Sequence, residues 1–531
     1  MVVGKIALEQ TKLSQQSSET IIGNLNNHQK IKGLLNPDIA KKFFYLSSKK
    51  KQTFLICILV NLVLLGVFKY YNFFAHSVND LATLLHLTNY SLPLLKLILP
   101  LGISYYTFAS LGYLIDVYKA KCRPQNNLFK LSLFSMFFPT LTVGPIHSYN
   151  NLATQLYEAH CFDYQQFTFG VQRIIWGLLK KLVIADRLAL FVNPIFNDYT
   201  NYPAIYLVIA TIFFAFQFYC DFSGCVDIAI GVGQMFGIKM NENFKQPFFS
   251  RTFAEFFRRW HITLFDWFKS YVFFPFFASK FLMFASAKFA KLFGTKAAKN
   301  FETYFSMLVV WFLIGLWHGD GWKYVILVGF VPCFIIILSD MFKTIFQKTT
   351  QFLKINTESI IWKSFQTLRT FTLFCIGCIF FRANDMKSSF EIFSKIASFC
   401  CPYILLAILL IFTVVNIRII ALKLLTKFDR TILFLFSCLA IAVMIFQILK
   451  LQFLSFSVTA VMPKHDFMLS VTSIIFFSIF ESISQFVSFR EIIAKQILLI
   501  RWVVYIALIL FVIMFGVYGS LVEQNFIYQV F

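Results

Sequence analysis

His318 closes an apolar run, Trp311-Phe312-Leu313-Ile314-Gly315-Leu316-Trp317, and is followed by Gly319-Asp320-Gly321. An imidazole at the edge of a membrane-length apolar segment is costly to desolvate, so its default reading is functional. A second imidazole, His261, ends the stretch Glu255-Phe256-Phe257-Arg258-Arg259-Trp260-His261. Imidazole titrates near neutral pH, which suits it to take a proton from a hydroxyl. Two Trp-His pairs, one in a basic stretch and one at the end of an apolar helix, raise the prospect of chemistry inside a membrane. Each pair also has a plainer reading. His318 alone reads equally well as a helix-end histidine wetted by headgroup water. His261 alone fits an amphipathic helix that holds Arg258, Arg259 and Trp260 at headgroup level. Gly315, Gly319 and Gly321 around His318 allow close backbone approach by another segment or a substrate.

The elements that must position these residues are membrane helices. Of 531 residues, 58% are apolar and 14% charged, and the mean hydropathy is +0.70. Soluble domains carry about a quarter charged residues, so this chain has too few to clothe a soluble surface of its length. Its apolar runs are continuous rather than alternating, which excludes a transmembrane barrel. The expected fold is an all-α polytopic bundle of about 11 spans, with re-entrant and interfacial helices beside them. Strong spans are expected at 53–75, 204–220, 303–319, 322–342, 366–381, 402–425, 431–454, 467–487 and 498–519. Weaker ones fall at 92–115, 128–144 and 167–185, interrupted by Pro93, Pro100, Pro139 and glycines.

The 48 basic and 25 acidic residues leave a formal charge of +23. The basic residues sit between apolar spans, which reads as positive-inside topology and attraction to anionic lipid, not as nucleic-acid binding. Residues 1–51 form a polar arm with nine lysines, expected to be flexible and cytoplasmic, ahead of a membrane domain over 52–531. Within that domain, residues 239–299 carry 11 basic and three acidic residues, the profile of helices lying in the cytoplasmic interface. The 11 cysteines are scattered through apolar segments. Cys375 and Cys378 read as helix packing, and no disulfide framework is implied. No spacing joins His261 and His318 into a zinc site, so no metal is expected.

Asp221-Phe222-Ser223-Gly224 follows a long apolar span. A carboxylate there must be paired or wet. Asp221 reads as structural or cavity-lining, and Ser223 lacks a paired base. His147, after Gly144-Pro145, falls on a re-entrant segment.

Several blocks, taken in order, resemble the membrane-bound O-acyltransferase family. They are Pro100 to Phe108, Phe138 to Ile146, Asp221 to Ala229, Gln246 to Tyr271, and Leu313 to Gly319. Any one is weak; the ordered set is specific. The stretch Asn61 to Phe74, the segment Phe380-Phe381-Arg382-Ala383-Asn384-Asp385 and the ending Asn525-Phe526-Ile527-Tyr528 resemble its bacterial alginate O-acetylation branch. A near relative of that branch D-alanylates teichoic acid. The polar arm departs from the family, whose members usually begin with an apolar helix.

The resemblance implies acyl transfer from a cytoplasmic thioester donor, such as acetyl-CoA, to a hydroxyl, with no tightly bound cofactor. His318 would act as general base or proton shuttle, and His261 would line the same cavity. Arg258 and Arg259 could meet donor or lipid phosphates, with Trp260, Trp317, Asp221 and Ser223 as further binding candidates. The acceptor would be an extracytoplasmic glycan, reached through a periplasmic or extracellular acetyltransferase partner, and the protein would sit in the inner membrane. The rivals are D-alanyl transfer to teichoic acid and a polysaccharide or lipid transporter without acyl chemistry. Interrupted helices and a buried histidine suit a transporter too, but no internal two-fold repeat is visible.

Overall fold

The computed structural model describes residues 37–87, 91–319, 321–400, 461–486 and 488–518. Among them the regular secondary structure is helical, apart from one antiparallel bridge between Phe244 and Trp260. Seven helical stretches are long and apolar enough to cross a membrane: Lys49–Leu84, Ala204–Met235, Thr295–His318, Tyr324–Met341, Ile360–Arg382, Lys464–Ser484 and Leu498–Phe515. Each corresponds to a strong span read from the sequence. The spans expected at 402–425 and 431–454 lie outside the described residues.

The weaker segments differ from expectation in instructive ways. The segment 92–115 is non-helical through Pro100, and a helix begins only at Ile103, after Gly102 in the left-handed region (φ 73°). The segment 128–144 breaks into Leu128–Ser135 and a single 3-10 turn, Phe138–Thr140, with Pro139 inside it. Proline removes a helical donor and clashes with the preceding turn. The segment 167–185 is longer than expected: Tyr164–Leu178, a π-helical stretch Leu179–Ala185 and Asp186–Asn197 follow without a break. The last residues of the polar arm lie in a helix, Pro37–Leu65, that runs on into the first apolar span. The basic segment 239–299 holds the helical pieces Ile262–Phe277 and Lys280–Phe293, bent by 57° where they meet. That pair has the length and composition of a broken span or re-entrant loop, not only of surface helices.

The chain divides into two compact units. The first takes residues up to Ile174, then Ala229–Asn243 and His261–Val310. Here Gly170 packs on Gly231: a Cβ on Gly170 would lie 2.6 Å from the Gly231 carbonyl oxygen. Trp267 packs on Phe108 with 4.5 Å between ring centroids and donates its indole N–H to the Phe108 carbonyl at 3.1 Å.

The second unit takes Ile175–Ile228, Phe244–Trp260 and the residues from Trp311 onward. Its core is aromatic, with Phe191, Phe196, Phe214, Phe222, Phe256 and Phe477 all under 2% exposed. Much of Ala204–Met235 is buried, whereas Leu498–Phe515 leaves Leu499, Val503, Ile506 and Met514 more than half or about half exposed. A chain that leaves so many large apolar side chains uncovered is built for lipid rather than water.

Candidate active site

In the second unit, glycine controls where His318 stands. A Cβ on Gly315 would lie 2.8 Å from the Tyr324 carbonyl oxygen and from the Val325 Cα. A Cβ on Gly329 would lie 2.7 Å from the Trp311 carbonyl oxygen. The end of the Thr295–His318 helix therefore meets the π-helical stretch Tyr324–Phe330 backbone to backbone. A Cβ on Gly319 would run into the Tyr324 ring, whereas Gly321 faces open space. The glycines read as allowing close approach do so at positions 315 and 319, toward the next helix of the same chain.

His318 is half-buried. Its ring lies 4.8 Å from the buried Trp317 and edge-on to Phe381 at 5.7 Å. Tyr324 also stands edge-on to Phe381, at 6.0 Å. Lys323, buried at 7% exposure, donates to the carbonyl oxygens of Phe381 (3.4 Å) and Ala383 and lies 4.4 Å over the Tyr324 ring. These carbonyls belong to the C-terminal end of the Ile360–Arg382 helix, where a cation is favoured. Burial first, and the nearby Arg382 second, pull the Lys323 pKa down to about 8. Sequence reading missed Lys323. Its signal is a lysine at the first turn of the expected span 322–342.

The same aromatic cluster reaches the other Trp-His pair. Phe381 packs on Phe218 at 4.7 Å, and Phe218 on Trp260 at 5.1 Å. Trp260 is 5% exposed and also meets Phe374 at 5.2 Å. Phe257 stands edge-on to Trp311 at 4.7 Å. So Trp260, Trp317 and His318 share one packed region of the second unit. The helix before Trp260, Phe253–Arg259, starts on Thr252, whose side chain accepts from the Glu255 N–H. Arg259 is committed to Glu255 at 2.7 Å, one turn away. Arg258 is exposed and is the better placed of the two for an external phosphate.

Asp221 and Ser223 are buried at 1% and 2% exposure. Lys181 pairs with Asp221 at 2.6 Å and with Asp186 at 2.8 Å. Lys180 pairs with Asp227 at 2.6 Å and donates to the Ser223 hydroxyl at 2.8 Å. Close helix approach makes these pairs possible, since a Cβ on Gly177 would lie 2.5 Å from the Gly224 carbonyl oxygen. Buried carboxylates need such partners, and removing one partner strands a charge. The arrangement is an ion-paired tie between helices. Ser223 faces an ammonium rather than an imidazole, which is no activation for a nucleophile. The signal for the tie was the pair Lys180-Lys181 inside an apolar stretch.

In the first unit, His261 is 1% exposed and sits at φ 48°, ψ 50°, just before the Ile262–Phe268 helix. For a residue with a Cβ this left-handed conformation costs about 1–2 kcal/mol, and such outliers gather at functional sites. The corner is held by Asn243. Its carbonyl accepts from the Ile262 N–H at 3.0 Å. Its side-chain oxygen accepts from the Thr263 N–H at 3.1 Å and the Thr263 hydroxyl at 2.6 Å. The Thr263 oxygen in turn accepts from the Ile146 N–H at 2.9 Å. Asn243 went unnoticed in the sequence because a lone asparagine in a loop carries no spacing signal. Among the described residues, no three His, Cys, Asp or Glu side chains gather as a metal site.

A sequence model of the membrane-bound O-acyltransferase family matches residues 124–383, which include both Trp-His pairs and the Asp221 segment. Over residues 124–383 the chain belongs to the membrane-bound O-acyltransferase family. Among its relatives, the Pseudomonas aeruginosa protein named "Probable alginate O-acetylase" is 31% identical over 345 residues, covering 64% of this chain and 59% of that protein. The "Peptidoglycan O-acetyltransferase" of Helicobacter pylori is 29% identical over 375 residues, 65% of this chain and 64% of the relative. The "Teichoic acid D-alanyltransferase" of Bacillus subtilis is 27% identical over 230 residues, 43% of this chain and 55% of the relative. The chain thus spans about three fifths of the length of the alginate relatives it matches. The family match over 124–383, together with the seven apolar helices among the described residues, makes the chain a multi-pass membrane protein.

Proposed function

We propose that this chain is an O-acetyltransferase that moves acetyl from a cytoplasmic thioester toward hydroxyls of an extracytoplasmic polysaccharide or cell-wall glycan. The carrying observation is His318: a half-buried imidazole at the end of a membrane-length helix, backed by Trp317 and Phe381. In the proposed step, His318 takes the proton of an acceptor hydroxyl. The hydroxyl oxygen attacks the thioester carbonyl, the C–S bond breaks, and the imidazolium returns the proton to the departing thiolate. A positioned base of this kind contributes about 10²–10⁴-fold.

His261 orients the thioester or the nucleophile in this reading, and Arg258 meets a donor or lipid phosphate. Acetyl is preferred to D-alanyl because the alginate and peptidoglycan relatives match 64% and 65% of the chain, against 43% for the D-alanyltransferase. The protein resides in the inner membrane with its lysine-rich N-terminus on the cytoplasmic side, following the positive-inside rule. A periplasmic or extracellular acetyltransferase completes delivery to the glycan. The test is the glycan acetyl content of a strain carrying His318→Ala. Loss of acetyl with normal protein level and membrane insertion supports the reading, and unchanged acetyl content overturns it.

A further inference from the structure

Two buried polar groups in the first unit have no use in the mechanism above. His147 is 7% exposed, and its Nε2 has no hydrogen-bond partner. Burial lowers its pKa to about 4, so the ring is neutral at physiological pH. Asn243 is fully buried, and its Nδ2 likewise has no partner. The orientation of this amide follows from its neighbours. The Thr263 N–H can only donate, so the atom facing it at 3.1 Å must be the amide oxygen. The NH₂ group then points away from Thr263 with its donors unspent. A buried donor left without a partner is destabilising, so a site of this kind calls for a ligand.

The two groups belong to one hydrogen-bonded corner. Thr263 links Asn243 to Ile146, the residue before His147, and His261 lies two residues before Thr263. We propose that His147 and Asn243 form a binding pair for a secondary amide, the group carried by the pantetheine arm of an acyl thioester donor. The amide carbonyl accepts from Asn243 Nδ2, and the amide N–H donates to the His147 ring nitrogen. A secondary amide uses the two partners on offer. A buried water typically uses about three. The proposal rests on the acyltransferase reading and adds to it the residues that recognise the donor arm.

The test uses the full-length protein in detergent and follows thiol release from two donors. One is S-acetyl-N-acetylcysteamine, which carries the amide; the other is S-butyl thioacetate, which does not. Wild type should prefer the amide donor in kcat/KM. Asn243→Asp keeps the oxygen that Thr263 needs and replaces the donor with an acceptor. His147→Phe removes the nitrogen and keeps an aromatic ring. Each should lower the preference by roughly tenfold, mainly through KM for the amide donor. Thermal melting of both variants controls for folding. An active wild type whose donor preference is unchanged in both folded variants overturns this inference alone and leaves the pair as a water site. If a variant does not fold, the other decides. A wild type inert toward every thioester, acetyl-CoA included, overturns the acyltransferase reading and this inference with it.

Discussion

The two Trp-His pairs have the same letters and opposite construction. Trp317-His318 sits on an unbroken helix end, and its position is decided by glycines that let the next helix touch its backbone. Trp260-His261 straddles a turn. Trp260 closes one short helix in the second unit, and His261, in a left-handed conformation, opens another in the first. A helix end tolerates motion of the side chain while the backbone stays regular. A strained turn held by Asn243 leaves the backbone little freedom. The first pair is thus placed by backbone contact at a helix end, and the second by the hydrogen bonds of a turn.

Four substitutions would break or sharpen that contrast. The largest effect is expected from His318→Ala, which should lower labelled acetyl transfer by about 10²–10⁴-fold with little change in melting temperature. His261→Ala should lower both transfer and stability. Next, Gly319→Ala places a Cβ against the Tyr324 ring, an overpacking worth about 1–3 kcal/mol. Thermal unfolding of the purified protein should show that loss, and a neutral result would refute the tight corner. Third, His261→Gly should melt higher than His261→Ala by about 1 kcal/mol, because glycine adopts positive φ without a Cβ penalty. Equal melting of the two would remove the case for strain at the turn.

The smallest effect concerns Lys323. Its folded pKa of about 8 lies below the ordinary lysine value of 10.5, so the unfolded chain binds more protons between those values and stability should rise with pH across that window. Lys323→Met should flatten the rise relative to wild type. A pH dependence that is the same in both proteins would show that Lys323 titrates normally.

Much of this was legible in the sequence for identifiable reasons. The strong spans among the described residues follow from apolar runs long enough to cross a bilayer, a property that needs no tertiary information. His318 and Trp317 stood out because an imidazole at such a run's end is costly. The weak segments were harder to read. Nothing local announced that 164–197 would continue through a π-helical stretch, or that the helix at Ile103 would wait for Gly102. The lysines that close the N-terminal arm lie within the helix Pro37–Leu65, because lysines do not oppose helix formation.

Composition and local pattern by themselves determined the all-helical membrane class, the positions of the strong spans and the histidines worth testing. They did so because bilayer length and the cost of an intramembrane charge act on each segment separately. Tertiary structure alone decided that Lys180 and Lys181 neutralise Asp227 and Asp221, that Lys323 reaches the carbonyls behind His318, and that Asn243 and Ile146 meet through Thr263. Those partners are far apart in the chain, and only helix packing at glycine contacts and the closing of loops on one another brings their charges and hydrogen bonds within reach.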